Sequence, residues 1–209
     1  KAGAAIHLMK RVPAAAGLGG GSADAAAMLL GLNKFWDLRL TMDELMTLGA
    51  KLGSDVPFLL KGGTARGTGR GEELVYHPSP EPHWLLLVKP EISVSTAVAY
   101  GRYNGQSNAT SDTITNVLHH LEQNDMYGAF TNSANTFEEL LFPDHEELIT
   151  CKEFFTSRDY PTIMTGSGPT MVVLLEKPAQ ALSLQEEIKK AGHNWLSLIT
   201  KTCTQEEVQ

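Results

Sequence analysis

Cysteine is scarce. The 209 residues hold two, Cys151 and Cys203, far apart. That excludes a disulfide scaffold and fits a reducing cytosol. No Cys/His cluster has zinc spacing. Positive charge is in deficit, with 17 Lys and Arg against 24 Asp and Glu, a net charge of -7. Such a chain is poorly suited to wrapping a nucleic-acid backbone, although local positive potential can still bind phosphates. No apolar run reaches the length of a membrane span, and no internal repeat of fixed period occurs. The Ala14–Ala16 run is broken by Gly19–Gly21 and Asp24 before it can serve as a signal-peptide core. What remains is an ordinary globular composition, 42% hydrophobic and 20% charged, which excludes disorder and a collagen-like repeat. The length suits one large domain or two small ones.

Along the chain, residues 4–12 read as a strand ending at Pro13. A Gly/Ala loop, Ala14–Gly21, follows. Ser22 then reads as an N-cap for a helix to about Trp36, whose Met28, Leu29, Leu32 and Trp36 recur at helical spacing. Thr41 and Glu44 form a capping box for a helix over Met42–Leu52, which Gly53 ends. Residues 54–61 read as a loop or short turn around Asp55. A hairpin is expected from Gly62–Arg66 and Glu73–Tyr76. Trp84–Lys89 is a buried-strand pattern and 96–103 a helix. The polar stretch 104–112 is a plausible domain boundary, which gives domains 1–104 and 105–209. The second half reads as helices (114–123, around Phe137, 146–156, 179–191) on a small antiparallel sheet (162–164, 170–175, 195–200), an α+β sandwich.

The strongest chemical signal is Pro13-Ala14-Ala15-Ala16-Gly17-Leu18-Gly19-Gly20-Gly21-Ser22-Ala23. Four glycines let backbone N–H groups turn inward, and a helix N-terminus follows, so free N–H groups and the helix dipole together favour an anion. Lys10 and Arg11 add positive charge. A phosphate chain is the natural ligand. The other reading is a flexible linker, but linkers seldom run straight into an amphipathic helix. Neither a Walker loop nor a dinucleotide fingerprint is present.

In Gly53-Ser54-Asp55-Val56-Pro57-Phe58, Pro57 stiffens the loop that carries Asp55. Apolar neighbours would keep the carboxylate partly dry for work as a base in phosphoryl transfer. The other reading, which spacing alone favours, is an Asp bonded to nearby turn backbone. Thr165-Gly166-Ser167-Gly168-Pro169-Thr170 reads either as a hairpin turn or as a close approach of backbone to a ligand. Arg66 and Arg70 sit in a glycine-rich stretch that reads as a solvated hairpin or a phosphate-binding wall. Adjacent His119 and His120 point apart on a helix and read as surface residues. Asn108-Ala109-Thr110 matches a glycosylation acceptor, which carries no meaning in a cytosolic chain.

Together Lys10–Ala27, Gly31-Leu32-Asn33 with Trp36, Leu52–Phe58, Gly62–Glu72, Ala134–Glu138 and Thr165–Thr170 resemble the GHMP kinase superfamily, in the family's order and over nearly the whole chain. The resemblance implies an α+β, two-domain GHMP kinase fold. Its N-terminal ATP-binding part is ribosomal protein S5-like and truncated, and its C-terminal part a ferredoxin-like α/β sandwich. It implies ATP and Mg2+ as cofactors, with Lys10 and Pro13–Ala23 around the ATP phosphates and Asp55 as the catalytic group. Thr96, Tyr100, Gly166, Ser167 and Gly168 would bind a small-molecule substrate. The Gly-x-Asp-Val-Pro-Phe segment points to the branch that phosphorylates the 2-hydroxyl of cytidine diphosphate methylerythritol in non-mevalonate isoprenoid synthesis. Alternatives are a mevalonate, homoserine or sugar kinase, or a non-catalytic nucleotide-binding fragment. The family also carries a Pro-Ala-Lys-x-Asn segment upstream of anything in this chain, which begins at Lys1. The expectation is therefore a chain of little activity on its own, located in the cytoplasm, with neither nucleic-acid nor membrane partners.

Overall fold

The computed structural model describes residues 3–105 and 110–204. Residues 106–109, within the expected boundary loop and including Asn108 and Ala109 of the acceptor motif, lie outside them. The chain forms two compact units. The first takes residues up to Ala14 and Gly19–His77; the second takes Ala15–Leu18 and Pro78–Thr204. The expected boundary at 104/105 falls inside the second unit, because the strand Trp84–Lys89 pairs with strands near the C-terminus.

In the first unit, α1 (Gly20–Phe35), α2 (Met42–Leu52) and α3 (Val56–Lys61) precede a hairpin of β1 (Thr64–Thr68) and β2 (Glu73–His77). The capping box forms at α2, where the Thr41 hydroxyl accepts from Glu44 N–H and the Glu44 carboxylate from Thr41 N–H. The Thr41 N–H, and then the Thr41 hydroxyl donating to the same carboxylate, lower the Glu44 carboxyl from its usual value. Ala26, Leu45, Val56 and Leu60 make the core, with Ala25, Leu29 and Leu30 of α1 packed on it. The inward face of α1 is thus partly its alanine run, and Trp36 stays exposed.

Three expectations change here. Residues 4–12 form no strand, since no described strand pairs with them, and Ile6, Leu8 and Met9 stand in solvent. Ser22 is not the cap of α1: the cap lies three residues earlier at Gly19, whose left-handed φ of 61° makes the turn. Residues 56–61 are helical and not a loop, because Pro57 falls in the first turn, where a missing N–H costs nothing.

In the second unit, β3 (Trp84–Lys89), β4 (Thr162–Met164), β5 (Met171–Leu175) and β6 (Leu196–Lys201) form one antiparallel sheet in the order β4-β5-β3-β6. Its helices are α4 (Thr96–Arg102), α5 (Ser111–Glu122), α6 (Met126–Asn132), α7 (Thr136–Leu141), α8 (Glu146–Thr156) and α9 (Pro178–Lys190). Of these, α6 is missed by the sequence reading. The period-2 alternation of the strands divides the core in two. Leu86, Val88, Met171, Val173 and Leu175 join Leu148, Phe155, Leu184 and Ile188 of α8 and α9 on one face. Leu85 and Leu174 join Met126 and Ala129 of α6 on the other, with Val117 and Leu121 of α5. His120, near the end of α5, shares a bond of 2.8 Å with Asp125, the cap of α6. No described helix is long and apolar enough to cross a membrane.

Two predictions follow from this packing. A Cβ on Gly49 would come within 2.9 Å of Val56 Cγ1 and 3.1 Å of Leu60 Cδ1. Gly49→Ala gains about 1 kcal/mol of helix propensity, but overpacking costs about 1–3 kcal/mol, so urea denaturation will show a net loss; an unchanged or higher midpoint contradicts this packing. Cys151 is a buried residue of α8, where burial, with Glu147 second, pushes its thiol up, while Cys203 is exposed. A disulfide reagent at pH 8 will therefore titrate Cys203 in the native protein and Cys151 only after unfolding.

Candidate functional site

The first unit supplies one constellation. At the start of α1, a helix of 16 residues, Gly20, Gly21 and Ser22 are first-turn residues, and Gly19, having no side chain, leaves their N–H groups uncapped. The Ser22 hydroxyl makes no hydrogen bond with a described residue and is free for a ligand. Lys10 lies against this turn, donating to Gly20 O at 3.1 Å and pairing with the Asp24 carboxylate. A Cβ on Gly20 would sit 3.5 Å from Lys10 Nζ, an ordinary contact distance, so the ammonium lies directly over this turn. Sequence reasoning gave Asp24 no role. The signal available was an acid fourteen residues after Lys10, on the helix that the glycine loop enters.

Asp55 immediately precedes α3. Its carboxylate does not cap that helix, has no hydrogen-bond partner among the described residues and is exposed. The partly dry setting expected from its apolar neighbours is not found, because Val56 and Pro57 turn into the core and leave Asp55 outside. The turn-bonded alternative is not found either. Gly53 lies near Ser22, with an added Cβ 3.8 Å from Ser22 Oγ. The α3 entry and the α1 entry are thus neighbours within one unit. Arg70 pairs with Glu72 in the hairpin turn, and Arg66 is exposed on β1.

The second unit supplies another constellation. The turn Thr165–Thr170 joins β4 to β5, closed by Thr165 N–H to Thr170 O at 2.9 Å. Ser167 and Gly168 are buried and Gly166 is exposed. Thr96 and Ser167 hydroxyls meet at 3.1 Å. Tyr100, one helical turn beyond Thr96 on α4, is exposed and packs edge-on against Phe137 with ring centres 4.9 Å apart. The Ala15–Leu18 segment of the glycine loop packs here: Thr165 Oγ1 donates to Gly17 O at 3.1 Å. A Cβ on Gly17 would be 2.3 Å from Thr165 O, and its φ is 70°. Beside the turn, Phe130, Asn135, Phe137, Ile163, Thr165 and Val172 help line an open cleft of about 570 Å³. No group of three or more metal-ligating side chains occurs among the described residues.

A glycine loop thus runs into a helix with no side-chain cap, and a carboxylate with no partner among the described residues stands at the neighbouring helix entry. The GHMP kinases N terminal domain family matches residues 1–63. The chain belongs to the GHMP kinase superfamily and has its fold. Within it, the sequence is similar to 4-diphosphocytidyl-2-C-methyl-D-erythritol kinases. It is 41% identical to that of Exiguobacterium sibiricum over 90% of this chain and 66% of the relative. It is 41% identical to that of Bacillus mycoides, over 90% and 65%. The chain thus spans about 65% of the length of such relatives. A crystal structure of 4-(cytidine 5'-diphospho)-2C-methyl-D-erythritol kinase superposes with a TM-score of 0.72 at 27% identity, covering 93% of this chain and 69% of that one. Homoserine kinase from Cytophaga hutchinsonii gives 0.71 at 18% identity, over 93% and 68%, a likeness of fold alone.

Gly17→Ala tests the geometry directly. A left-handed φ costs a residue with a Cβ about 1–2 kcal/mol, and the clash with Thr165 O adds to this. Amide exchange of residues 15–18 and of the 165–168 turn will rise together; a rise in one alone would show that the two segments do not support each other.

Proposed function

We propose that this protein transfers the γ-phosphoryl group of ATP to the 2-hydroxyl of 4-(cytidine 5'-diphospho)-2-C-methyl-D-erythritol. The observation that carries the reading is the unpartnered Asp55 carboxylate beside the uncapped start of α1, in a sequence about 40% identical to kinases of that name. Under this reading Lys10 and the loop Pro13–Ala23 hold the ATP phosphates. The N–H groups at the start of α1 and the Lys10 ammonium stabilise negative charge as it moves onto the leaving phosphate. Asp55 accepts a hydrogen bond from the attacking hydroxyl, aims its oxygen and takes its proton as the new P–O bond forms. Thr96, Tyr100, Gly166, Ser167 and Gly168 of the second unit recognise the substrate. Mg2+ would supply charge neutralisation, and the Ser22 hydroxyl, which has no partner among the described residues, is the oxygen that would help hold it. Two unpaired cysteines support a cytoplasmic location.

The test is ADP release from ATP-Mg2+ with that substrate, using the protein at its full length. Asp55→Asn keeps shape and removes the proton acceptor. It will lower kcat by about 100-fold or more while leaving KM for ATP nearly unchanged. Wild-type turnover with mevalonate or homoserine and none with the cytidine diphosphate substrate would overturn the substrate assignment.

A further inference from the structure

The stretch Ala134-Asn135-Thr136-Phe137-Glu138 carries part of the family resemblance, but the reading above gives it no task. Its geometry supplies one. Asn135 stands at the N-cap of α7, where its Oδ1 accepts Phe137 N–H at 2.9 Å. Its Nδ2 donates twice, to Met164 O at 2.6 Å and to Gly166 O at 2.9 Å. These two carbonyls bracket Thr165. Three residues on, Glu138 Oε1 accepts Met164 N–H at 2.7 Å, and its other oxygen pairs with Lys152 of α8. The Glu138 and Lys152 side chains are 14% and 27% exposed, so this pair is largely withdrawn from water. One turn of helix therefore holds both backbone groups of the last residue of β4 and the first glycine of the turn beyond it.

The same turn holds the glycine loop. Thr165 Oγ1 donates to Gly17 O, and a Cβ on Gly166 would sit 3.0 Å from that oxygen. Connection runs from Lys152 through Glu138 and Asn135 to the turn, and from Thr165 to Gly17. A side-chain amide is the group this requires. It has two N–H donors for two carbonyls and an oxygen acceptor for the helix cap. A carboxylate keeps the cap and loses both donors; a serine keeps the cap and loses the reach.

We infer that Asn135 is a positioning residue: through its two hydrogen bonds it sets the Thr165–Gly168 turn, and through Thr165 it sets the Ala15–Leu18 part of the phosphate-binding loop. This rests on the reading of that loop as the ATP site. Helix capping and loop positioning separate in two variants, Asn135→Ser and Asn135→Asp, both of which retain a cap acceptor. Hydrogen exchange on the full-length protein will show protection falling by about 10-fold or more in segments 15–18 and 164–168, because both donors to the turn carbonyls are lost. In ADP-release kinetics, KM for ATP will rise by about 10-fold or more through misplacement of the loop, with a smaller change in kcat. A lowered melting temperature with wild-type exchange at 15–18 and wild-type KM would reduce Asn135 to a helix cap and overturn the inference. Asp55→Asn is the control and will leave exchange in both segments unchanged. Should the wild type show no kinase activity, the exchange arm still decides the role of Asn135 while the functional reading fails separately.

Discussion

The second unit depends on one strand having partners on both sides. β3 pairs with β5 from Trp84↔Leu175 to Val88↔Met171, and with β6 from Trp84↔Lys201 to Lys89↔Leu196. Both partners lie far downstream, so the loop-closure entropy must be offset by what the sheet buries. Burial on both faces does this. Alternate residues of β3 and β5 feed a core under α8 and α9 and a second under α5 and α6. A strand in that position tolerates no polar side chain along its middle, and Leu85, Leu86 and Val88 meet that demand.

A rigid sheet lets its connections be irregular. The Thr165–Thr170 turn needs left-handed backbone at Gly166 and Gly168, with φ of 51° and 75°. Gly168 also lies so close to Met164 that a Cβ there would come within 2.6 Å of its sulfur. Such a turn is not stabilised by regular ladder bonds. It is held from behind by Asn135 and Glu138, and β4 and β5 hold its ends. The left-handed glycines and the polar anchoring occur where backbone has to approach a second segment closely.

The first unit works by a different device. Three short helices share a small core of Ala26, Leu45, Val56 and Leu60, and two of them begin with polar groups left free. α1 begins behind a glycine that caps nothing, and α3 follows an aspartate that does not cap it. Capping by side chains adds stability at α2, where the Thr41–Glu44 box closes. Its absence at α1 and α3 leaves N–H groups and a carboxylate available for chemistry, at a cost in stability that the shared core offsets.

Much of this was legible in the sequence. The bounds of α2 and α8, the strands Trp84–Lys89 and 162–164, and the glycine loop leading into a helix all follow from local patterns: a capping box, an apolar run closed by Pro90, helical spacing, glycines before a helix. Asp55 became a chemical candidate through the family resemblance of its segment, since its spacing alone favoured a turn-bonded carboxylate, while the Thr165–Thr170 turn was legible from its glycines. What the sequence could not determine depended on contacts between distant residues. Residues 4–12 read as a strand, but a strand exists only with a hydrogen-bonding neighbour. The exposure of Asp55 followed from which way Val56 and Pro57 packed. The Lys10–Asp24 pair, the Thr96–Ser167 contact and the double bond of Asn135 to the turn join residues separated by 14, 71 and up to 31 positions. Periodicity reports which face of an element is apolar, because that is a property of consecutive residues. Which element covers that face, and which polar group is left without a partner, are decided when the whole chain packs.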